Sequence, residues 1–272
     1  SRPATVQELT NAVSCGPGVI RALVNKGLLR SFTQMEKLSL DRHLLDRKGA
    51  PDFDLNAQQT RAIAAISEAI VRSKYRGFLL KGLTSSGKTE VYLRSIDATL
   101  EEGRNAIVLI PEISLVPALA SEARSRFGPS LAIIHSGLSA SERAQEWERV
   151  RSGSARVVLG PRSAILAPVC NLGLVVVDEE QDSSFKQDSA PRYNGRDVAL
   201  VRAHAADAVA LLVSATPSLE TRYNVERGKL ELLPLTERVA GGQLPEGIVV
   251  DLRTEKSKPR RPGEVRFSEC LL

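Results

Sequence analysis

The apolar positions of this chain alternate between two spacings. Apolar residues three or four apart predict amphipathic helices, and short continuous runs of branched apolar residues predict strands buried on both faces of a sheet. The predicted helices are Ala57–Ser73, Lys88–Glu101, Ser114–Phe127, Ser139–Arg151, Asn194–Ala205 and Ser218–Arg227. The predicted strands are Phe78–Leu80, Ala106–Ile110, Leu131–Ile134, Arg156–Leu159, Leu174–Val177 and Val209–Leu212. The alternation predicts a doubly wound α/β domain with a parallel sheet, whose ligands bind at the carboxyl ends of the strands.

The amino-terminal part has a different, helical pattern. Thr5 and Glu8 have the spacing of a capping box, and a second helix is predicted over Pro17–Lys26 with Gly27 at its end. We therefore expect residues 1–46 to form a small winged-helix-like DNA-binding domain. A helical hairpin that acts only as a spacer is the alternative.

The polar segment 47–52 indicates a linker, so the α/β domain is predicted to span residues 47–235. Residues 236–272 contain one strand-like run, Gly247–Leu252, and a basic stretch at 256–262 that is more typical of a solvated loop than of a nucleic-acid contact. Because the chain lacks a starting Met and ends in an apolar segment, we expect it to be a piece of a larger protein.

Composition limits the function classes only loosely. The formal net charge is +5 and the pI is 9.2, which is compatible with a polyanionic partner without requiring one. No apolar run approaches the ~20 residues of a membrane helix, and no signal-peptide core is present, so a cytoplasmic location is expected. Three distant cysteines, Cys15, Cys170 and Cys270, indicate neither a disulfide framework nor a zinc cluster.

The most specific chemical signal is Gly82-Leu83-Thr84-Ser85-Ser86-Gly87-Lys88-Thr89, a complete G-x-x-x-x-G-K-T phosphate loop between a predicted strand and a predicted helix. Glycines let backbone N–H groups surround phosphates, Lys88 neutralises phosphate oxygens, and the Thr89 hydroxyl can bind Mg²⁺. The predicted nucleotide-binding residues are Gly82, Thr84, Ser85, Ser86, Gly87, Lys88 and Thr89. The predicted ligands are therefore ATP and Mg²⁺.

Two further strands end in polar residues that complete such a site. Asp178 and Glu179 follow the run Leu174–Val177, where Asp178 would hold Mg²⁺ and Glu179 would polarise the attacking water. Ser214 and Thr216 follow another apolar run and could hydrogen-bond to the acidic segment.

In this order, these elements resemble superfamily two helicases, and more closely the bacterial primosomal replication-restart helicases. The segments that carry the resemblance are Gly82–Leu93, Ile110–Leu115, His135–Ser139 with Glu142, Arg143 and Trp147, Gly160–Ala164, Asp178–Gln187, Pro191–Tyr193 with Arg196 and Asp197, and Ser214–Glu220. The resemblance implies a RecA-like first motor lobe of a 3′ to 5′ ATP-dependent DNA helicase that restarts replication at abandoned forks. Implied partners are single-stranded and forked DNA, replication-restart proteins and single-strand-binding proteins, in a nucleoid-associated setting. The family's zinc module and second lobe are expected outside this chain.

The resemblance also implies roles for single residues. Gln59 matches the glutamine that reads adenine, with a plain surface glutamine as the alternative. Gln181 lies among the catalytic residues, where the family usually has His, and Pro161 replaces a usual Thr in a DNA-facing loop. Residues implied in DNA binding or coupling are Pro111, Glu112, Arg162, Ser163, Phe185, Lys186, Arg192, Tyr193, Ser214 and Thr216. Among them, Phe185, Lys186, Arg192 and Tyr193 match an aromatic-rich loop that senses single-stranded DNA, and aromatic rings can stack on any base. Phe185 and Tyr193 could instead be core residues.

Two other functions stay open at this point. One is a scaffold that binds DNA structures and keeps the motor fold without unwinding DNA. The departures from the family pattern at Pro161 and Gln181 keep this alternative open. The other is a small-molecule kinase, which would leave the helicase segments unexplained.

Overall fold

The structure is a computed structural model that describes residues 9, 13, 16–29, 54–111 and 117–239. Several predicted features lie outside these residues. They are the Thr5 and Glu8 capping box, the linker 47–52, Glu112, the run Gly247–Leu252, the basic stretch 256–262, Cys15 and Cys270.

A parallel sheet of seven strands forms the centre of the described α/β part, in the order β3-β4-β2-β5-β8-β1-β9. Its strands are β1 (Arg76–Gly82), β2 (Asn105–Leu109), β3 (Leu131–Ile133), β4 (Val157–Gly160), β5 (Leu172–Val177), β8 (Val209–Ser214) and β9 (Glu231–Leu235). Strands β6 (Lys186–Gln187) and β7 (Tyr193–Asn194) form a separate antiparallel hairpin. Because β1, β8 and β5 are neighbours, the residues that follow these strands meet at one edge.

The α-helices in the described residues are α1 (Pro17–Asn25), α2 (Ala57–Arg72), α3 (Lys88–Glu101), α4 (Pro117–Phe127), α5 (Ala140–Arg151), α6 (Gly195–Ala205) and α7 (Leu219–Glu226). Helices α2, α3 and α4 pack on one face of the sheet, where Ile66, Ile96 and Phe127 lie in the same buried cluster as alternate strand residues. Helices α5 and α6 pack on the other face through Val150 and Ala199. Helices on both faces confirm the doubly wound α/β prediction.

The predicted elements agree with the observed ones to within a few residues at most ends. Local signals explain this agreement: Ser139 and Glu142, which have the S-x-x-E spacing, form a reciprocal capping box at the start of α5. Helix α1 ends where Gly27 adopts a φ of 71°, a conformation that glycine tolerates easily. The winged-helix-like domain around α1 stays a prediction.

Three of the observed strands were not predicted. Strand β9 contains Pro234, which lowers strand propensity, and its edge position explains why a proline is tolerated there. The hairpin strands β6 and β7 have two residues each, too few for a period to be detected. Among the described helices, none is long and apolar enough to cross a bilayer.

Candidate nucleotide site

The phosphate loop connects β1 to α3 and has the backbone that phosphate binding needs. Gly87, just before the helix, has a φ of 79°, and a Cβ there would lie 2.2 Å from the Gln59 Nε2 atom. A Cβ on Gly82 would lie 2.4 Å from the Ser86 Oγ atom. Close approach within the loop therefore favours glycine at both positions, and the positive φ favours it at Gly87 as well.

The polar groups of the loop fit an anionic ligand. The Lys88 Nζ atom donates to the carbonyl oxygens of Gly82 and Leu83, at 3.1 and 3.0 Å, so the ammonium lies over the loop's own backbone. The Ser86 Oγ atom is buried and has no hydrogen-bond partner. An orphaned hydroxyl beside a lysine at a helix N-terminus is the arrangement expected of a phosphate cradle.

Gln59 is buried rather than on the surface, with an exposed fraction of 3%. Its Oε1 atom accepts from the Asn56 backbone N–H at 2.9 Å, and its Nε2 atom donates to the Ser86 carbonyl at 3.0 Å. The side chain thus connects the N-terminus of α2 to the phosphate loop. The alternative of a plain surface glutamine is wrong.

The segment after β9 also lies on the loop, which the sequence did not indicate. The Val239 N–H donates to the Ser85 carbonyl at 3.1 Å, and the Leu83 N–H donates to the Leu235 carbonyl at 3.3 Å. The Thr236 N–H donates to the Gln58 side chain at 2.7 Å. The chain leaving the lobe is therefore hydrogen-bonded to the nucleotide loop.

Asp178 lies at the end of β5, linked to the phosphate-loop helix by a tyrosine. The Tyr92 hydroxyl donates to the Asp178 Oδ2 atom at 3.3 Å, and Tyr92 lies on α3 three residues after Thr89. Burial, and then the negative charge of Glu179, raises the pKa of Asp178 to about 6. A cation at this position would relieve that penalty, so Asp178 and Thr89 form a suitable pair of oxygen ligands for Mg²⁺.

Glu179 begins a chain of hydrogen bonds that connects the ends of β5 and β8. It adopts a left-handed backbone with a φ of 47°, which is uncommon for a residue other than glycine. Its Oε2 atom accepts from the Gln181 Nε2 atom at 2.7 Å, and the Gln181 Oε1 atom accepts from the Ser214 hydroxyl at 2.6 Å. The Thr216 N–H donates to the same hydroxyl. These four predicted residues lie together.

A protein-family model described as DEAD/DEAH box helicase matches residues 56–225. The chain belongs to this family. The match runs from the residue before α2 into the last turn of α7 and includes every residue of the nucleotide loop and of the acidic segment. Helicases of this family use ATP and Mg²⁺, the two ligands that the loop and Asp178 fit.

The curated relatives are more specific. Over 248 residues the chain is 40% identical to Replication restart protein PriA of Bacillus subtilis (strain 168), covering 91% of this chain and 31% of that protein. Over 203 residues it is 45% identical to Replication restart protein PriA of Treponema pallidum (strain Nichols), covering 75% of this chain and 30% of that protein. The resemblance stated from the sequence is confirmed. The chain spans about a third of the length of these relatives.

A solved structure of RecG bound to a three-way DNA junction has a TM-score of 0.51 and 25% identity, covering 69% of this chain and 24% of that chain. It supports the RecA-like lobe.

In this helicase lobe the residues of the aromatic-rich loop form a short 3-10 turn, Ser183–Phe185, and the β6–β7 hairpin that follows it. Phe185 lies in the core with an exposed fraction of 1%, so it is a core residue and its ring is not available to stack on a base. Tyr193 is half-buried in the hairpin. Lys186 and Arg192 are exposed and line a concavity of about 450 Å³ with Tyr193. The solvent-facing groups of this hairpin include the two basic residues, part of one aromatic ring and the Asp188 carboxylate, whose Oδ1 atom lies 3.8 Å from the Lys186 Nζ atom.

The remaining predicted DNA residues divide into buried and exposed ones. Arg162 donates from Nη1 to the carbonyls of Ser184 and Lys186, both at 2.8 Å, so it holds the loop that enters the hairpin. Ser163 beside it is exposed, whereas Pro111 at the end of β2 is buried. Pro111 thus offers no free surface to DNA in this conformation, and Ser163 does.

One buried carboxylate, Glu180, and its partner Arg196 were not predicted as site residues. Glu180 has an exposed fraction of 2% and accepts hydrogen bonds from the Ser218 backbone and from the side chains of Ser218, Thr221 and Arg196. Two signals in the sequence could have pointed to this pair. Glu180 is a third acid directly after Asp178 and Glu179, and Arg196 lies in one of the segments that carry the family resemblance.

Proposed function

We propose that this chain is the nucleotide-binding motor lobe of an ATP-dependent DNA helicase that restarts replication at stalled or abandoned forks. One observation carries the proposal: the hydroxyl of Tyr92, on the helix that follows the phosphate loop, donates to Asp178 at the end of β5, so that the acidic segment and the phosphate loop form one site. The similarity to PriA supplies the replication-restart context.

The residues of the site have distinct tasks in this proposal. Lys88 and the loop N–H groups bind the phosphates, and Gln59 positions the loop through the Ser86 carbonyl. Bound Mg²⁺, held by Thr89 and Asp178, would neutralise charge on the phosphates. Glu179 would take the proton of the attacking water, with Gln181 orienting its carboxylate.

The whole-protein features are proposals of the same kind. A second motor lobe and a zinc module would follow in the complete protein, and residues 1–46 would form the winged-helix-like domain. Single-stranded and forked DNA are the proposed nucleic-acid partners, with replication-restart and single-strand-binding proteins beside them. The proposed location is the cytoplasm, in association with the nucleoid.

A second function, a scaffold that binds DNA structures without unwinding them, is favoured by one observation. The Gln181 amide donates to the Glu179 Oε2 atom and accepts from the Ser214 hydroxyl at the same time. The proposed catalytic carboxylate is therefore already hydrogen-bonded to a neutral amide. If that engagement persists with nucleotide bound, hydrolysis will be slow.

ATP turnover of the complete protein, measured with and without single-stranded or forked DNA, decides between the two. We expect strong stimulation by DNA and a loss of at least about 100-fold in Lys88→Ala, which removes the phosphate-binding ammonium. Lys81→Ala, an exposed lysine at the end of the same strand, is the matched control and should retain turnover. DNA binding without turnover in the unmodified protein would favour the scaffold.

A further inference from the structure

Glu180 is a fully enclosed carboxylate that the proposed nucleotide chemistry does not use. Its side chain has an exposed fraction of 0%, and it accepts from the Ser218 N–H at 2.8 Å, the Ser218 hydroxyl at 3.1 Å and the Thr221 hydroxyl at 2.8 Å. A charge at this depth requires a positive partner. The Arg196 Nη1 atom provides it at 3.2 Å from the Glu180 Oε2 atom.

Arg196 connects this carboxylate to the hairpin. It is the second residue of α6, which begins directly after β7. Its backbone N–H donates to the Asn194 side chain at 3.0 Å, and Asn194 pairs with Lys186 across the hairpin. The same guanidinium donates to the Ser218 hydroxyl at 2.8 Å. One residue thus contacts the hairpin, the acidic segment and the segment after β8.

The surroundings leave little freedom for these parts to move separately. A Cβ on Gly195 would lie 3.0 Å from the Arg162 Cβ atom, so the start of α6 is in close contact with Arg162. Arg162 in turn holds the carbonyls of Ser184 and Lys186 on the other side of the hairpin. A displacement of the hairpin relative to Glu180 would separate a buried ion pair, which is costly.

We propose that Arg196 is a positioning residue that couples the hairpin to the hydrolytic segment through Glu180. Glu180 lies between Glu179 and Gln181, so a shift of the hairpin on DNA alters the placement of the two residues that face the attacking water. This inference rests on the proposed function, because it assigns the route by which DNA regulates the same nucleotide site.

The test compares two arginines of one helix. Arg196→Met removes the ion pair with Glu180, and Arg202→Met, in the last turn of α6, removes contacts to the carbonyls of Ile165, Ala167 and Val169 only. Both variants lose a part-buried guanidinium, so both should lower the thermal midpoint. The readouts are the ratio of DNA-stimulated to basal ATP turnover and the KM for ATP, measured on the complete protein.

A second readout needs no hydrolysis. The affinity of the chain for a fluorescent single strand, measured with and without ADP, gives the coupling between the DNA and nucleotide sites. We expect Arg196→Met to lower the stimulation ratio at least about 10-fold, with the KM for ATP within about 3-fold, and to bring the ADP effect on DNA affinity close to none. Arg202→Met should retain both.

A double variant keeps the test decisive if Arg196→Met folds poorly. Adding Glu180→Gln removes the unpaired buried charge, so it should restore the thermal midpoint without restoring coupling. A stimulation ratio unchanged in Arg196→Met or in the double variant would overturn the inference while leaving the motor intact. An equal loss in Arg202→Met would overturn it as well, since a general loss of stability would explain both. No DNA stimulation in the unmodified protein would instead refute the proposed function, and the inference with it.

Discussion

The two edges of the central sheet use charged residues in opposite ways. At the amino edge, four arginines bind backbone carbonyls of the segments that enter or precede strands: Arg104, Arg149, Arg156 and Arg202. At the carboxyl edge, carboxylates and hydroxyls lie together, and some of them lack a hydrogen-bond partner or a counter-charge. The Ser86 hydroxyl has no partner, and burial raises the pKa of Asp178.

The difference separates stability from function. These arginines complete the hydrogen bonding of buried turns, and their other donors go to neighbouring side chains, as in Arg149 with Glu146 and Arg156 with Asn105, so little is left to offer a ligand. A carboxylate whose charge is penalised by burial gains from a cation, and an orphaned hydroxyl gains from an acceptor or a donor. Part of the basic excess of this chain is therefore structural, which weakens any inference of DNA binding from net charge alone.

The largest effect is expected at the amino edge, from Arg104→Met. Arg104 has an exposed fraction of 9% and donates to the carbonyls of Leu172, Ala206 and Asp207. Leaving these carbonyls without donors should lower the free energy of unfolding by about 4 kcal/mol. Nucleotide affinity, measured where the variant is folded, should stay unchanged because the carboxyl edge is untouched.

Arg72→Met is the matched control for this prediction. Arg72 is exposed and pairs only with Glu68 on the same helix, so its loss should change the free energy of unfolding by less than about 0.5 kcal/mol. Urea titrations of both variants measure the difference. Equal effects in the two variants would show that the contacts of Arg104 at the amino edge do not stabilise the fold.

At the carboxyl edge, Asp178→Asn should change the free energy of unfolding in the opposite direction and stabilise the fold near pH 7. The folded pKa of about 6 exceeds the ordinary 3.8, so the native state holds the proton more tightly than the unfolded state between these values. The wild-type protein therefore loses stability as the pH rises from about 4 to about 6. The variant has no carboxylate to lose this proton, so near pH 7 it should be more stable than the wild type by about 3 kcal/mol.

Urea titrations at several pH values measure this gain, which should shrink towards zero near pH 4. Asp54→Asn, an exposed carboxylate before α2, is the control and should change stability by less than about 0.5 kcal/mol near pH 7. The stabilised Asp178→Asn should at the same time lose Mg²⁺-dependent nucleotide affinity. A destabilised variant near pH 7 would mean that the carboxylate is satisfied without a cation.

The sequence predicted the carboxyl edge far better than the amino edge. Lys88, Thr89 and Asp178 follow from short-range chemistry, because a loop or a strand end fixes their place and residue type. The contacts of Arg104 with Leu172 and Ala206 depend on which strands become neighbours, and no local period encodes that. Glu180 and Arg196 were missed for the same reason, since their pairing spans two loops. For Phe185 the sequence left base stacking and a core position both open, because an aromatic residue in a DNA-sensing segment has the same pattern whether it faces a base or the core.

The smallest effect, and the sharpest test of the comparison, concerns two buried hydroxyls at one helix. Ser86 has no partner, whereas the Ser95 hydroxyl, on α3, donates to the Val91 carbonyl at 2.8 Å. Ser86→Ala removes an unsatisfied group and should raise the free energy of unfolding by up to about 1 kcal/mol, while Ser95→Ala should lower it by about 1 kcal/mol. Nucleotide affinity should fall several-fold in Ser86→Ala alone, as read from a fluorescent ATP analogue. A loss of stability in Ser86→Ala would mean that its hydroxyl is already satisfied in the folded protein, so that the carboxyl edge would not differ from the amino edge in the way proposed.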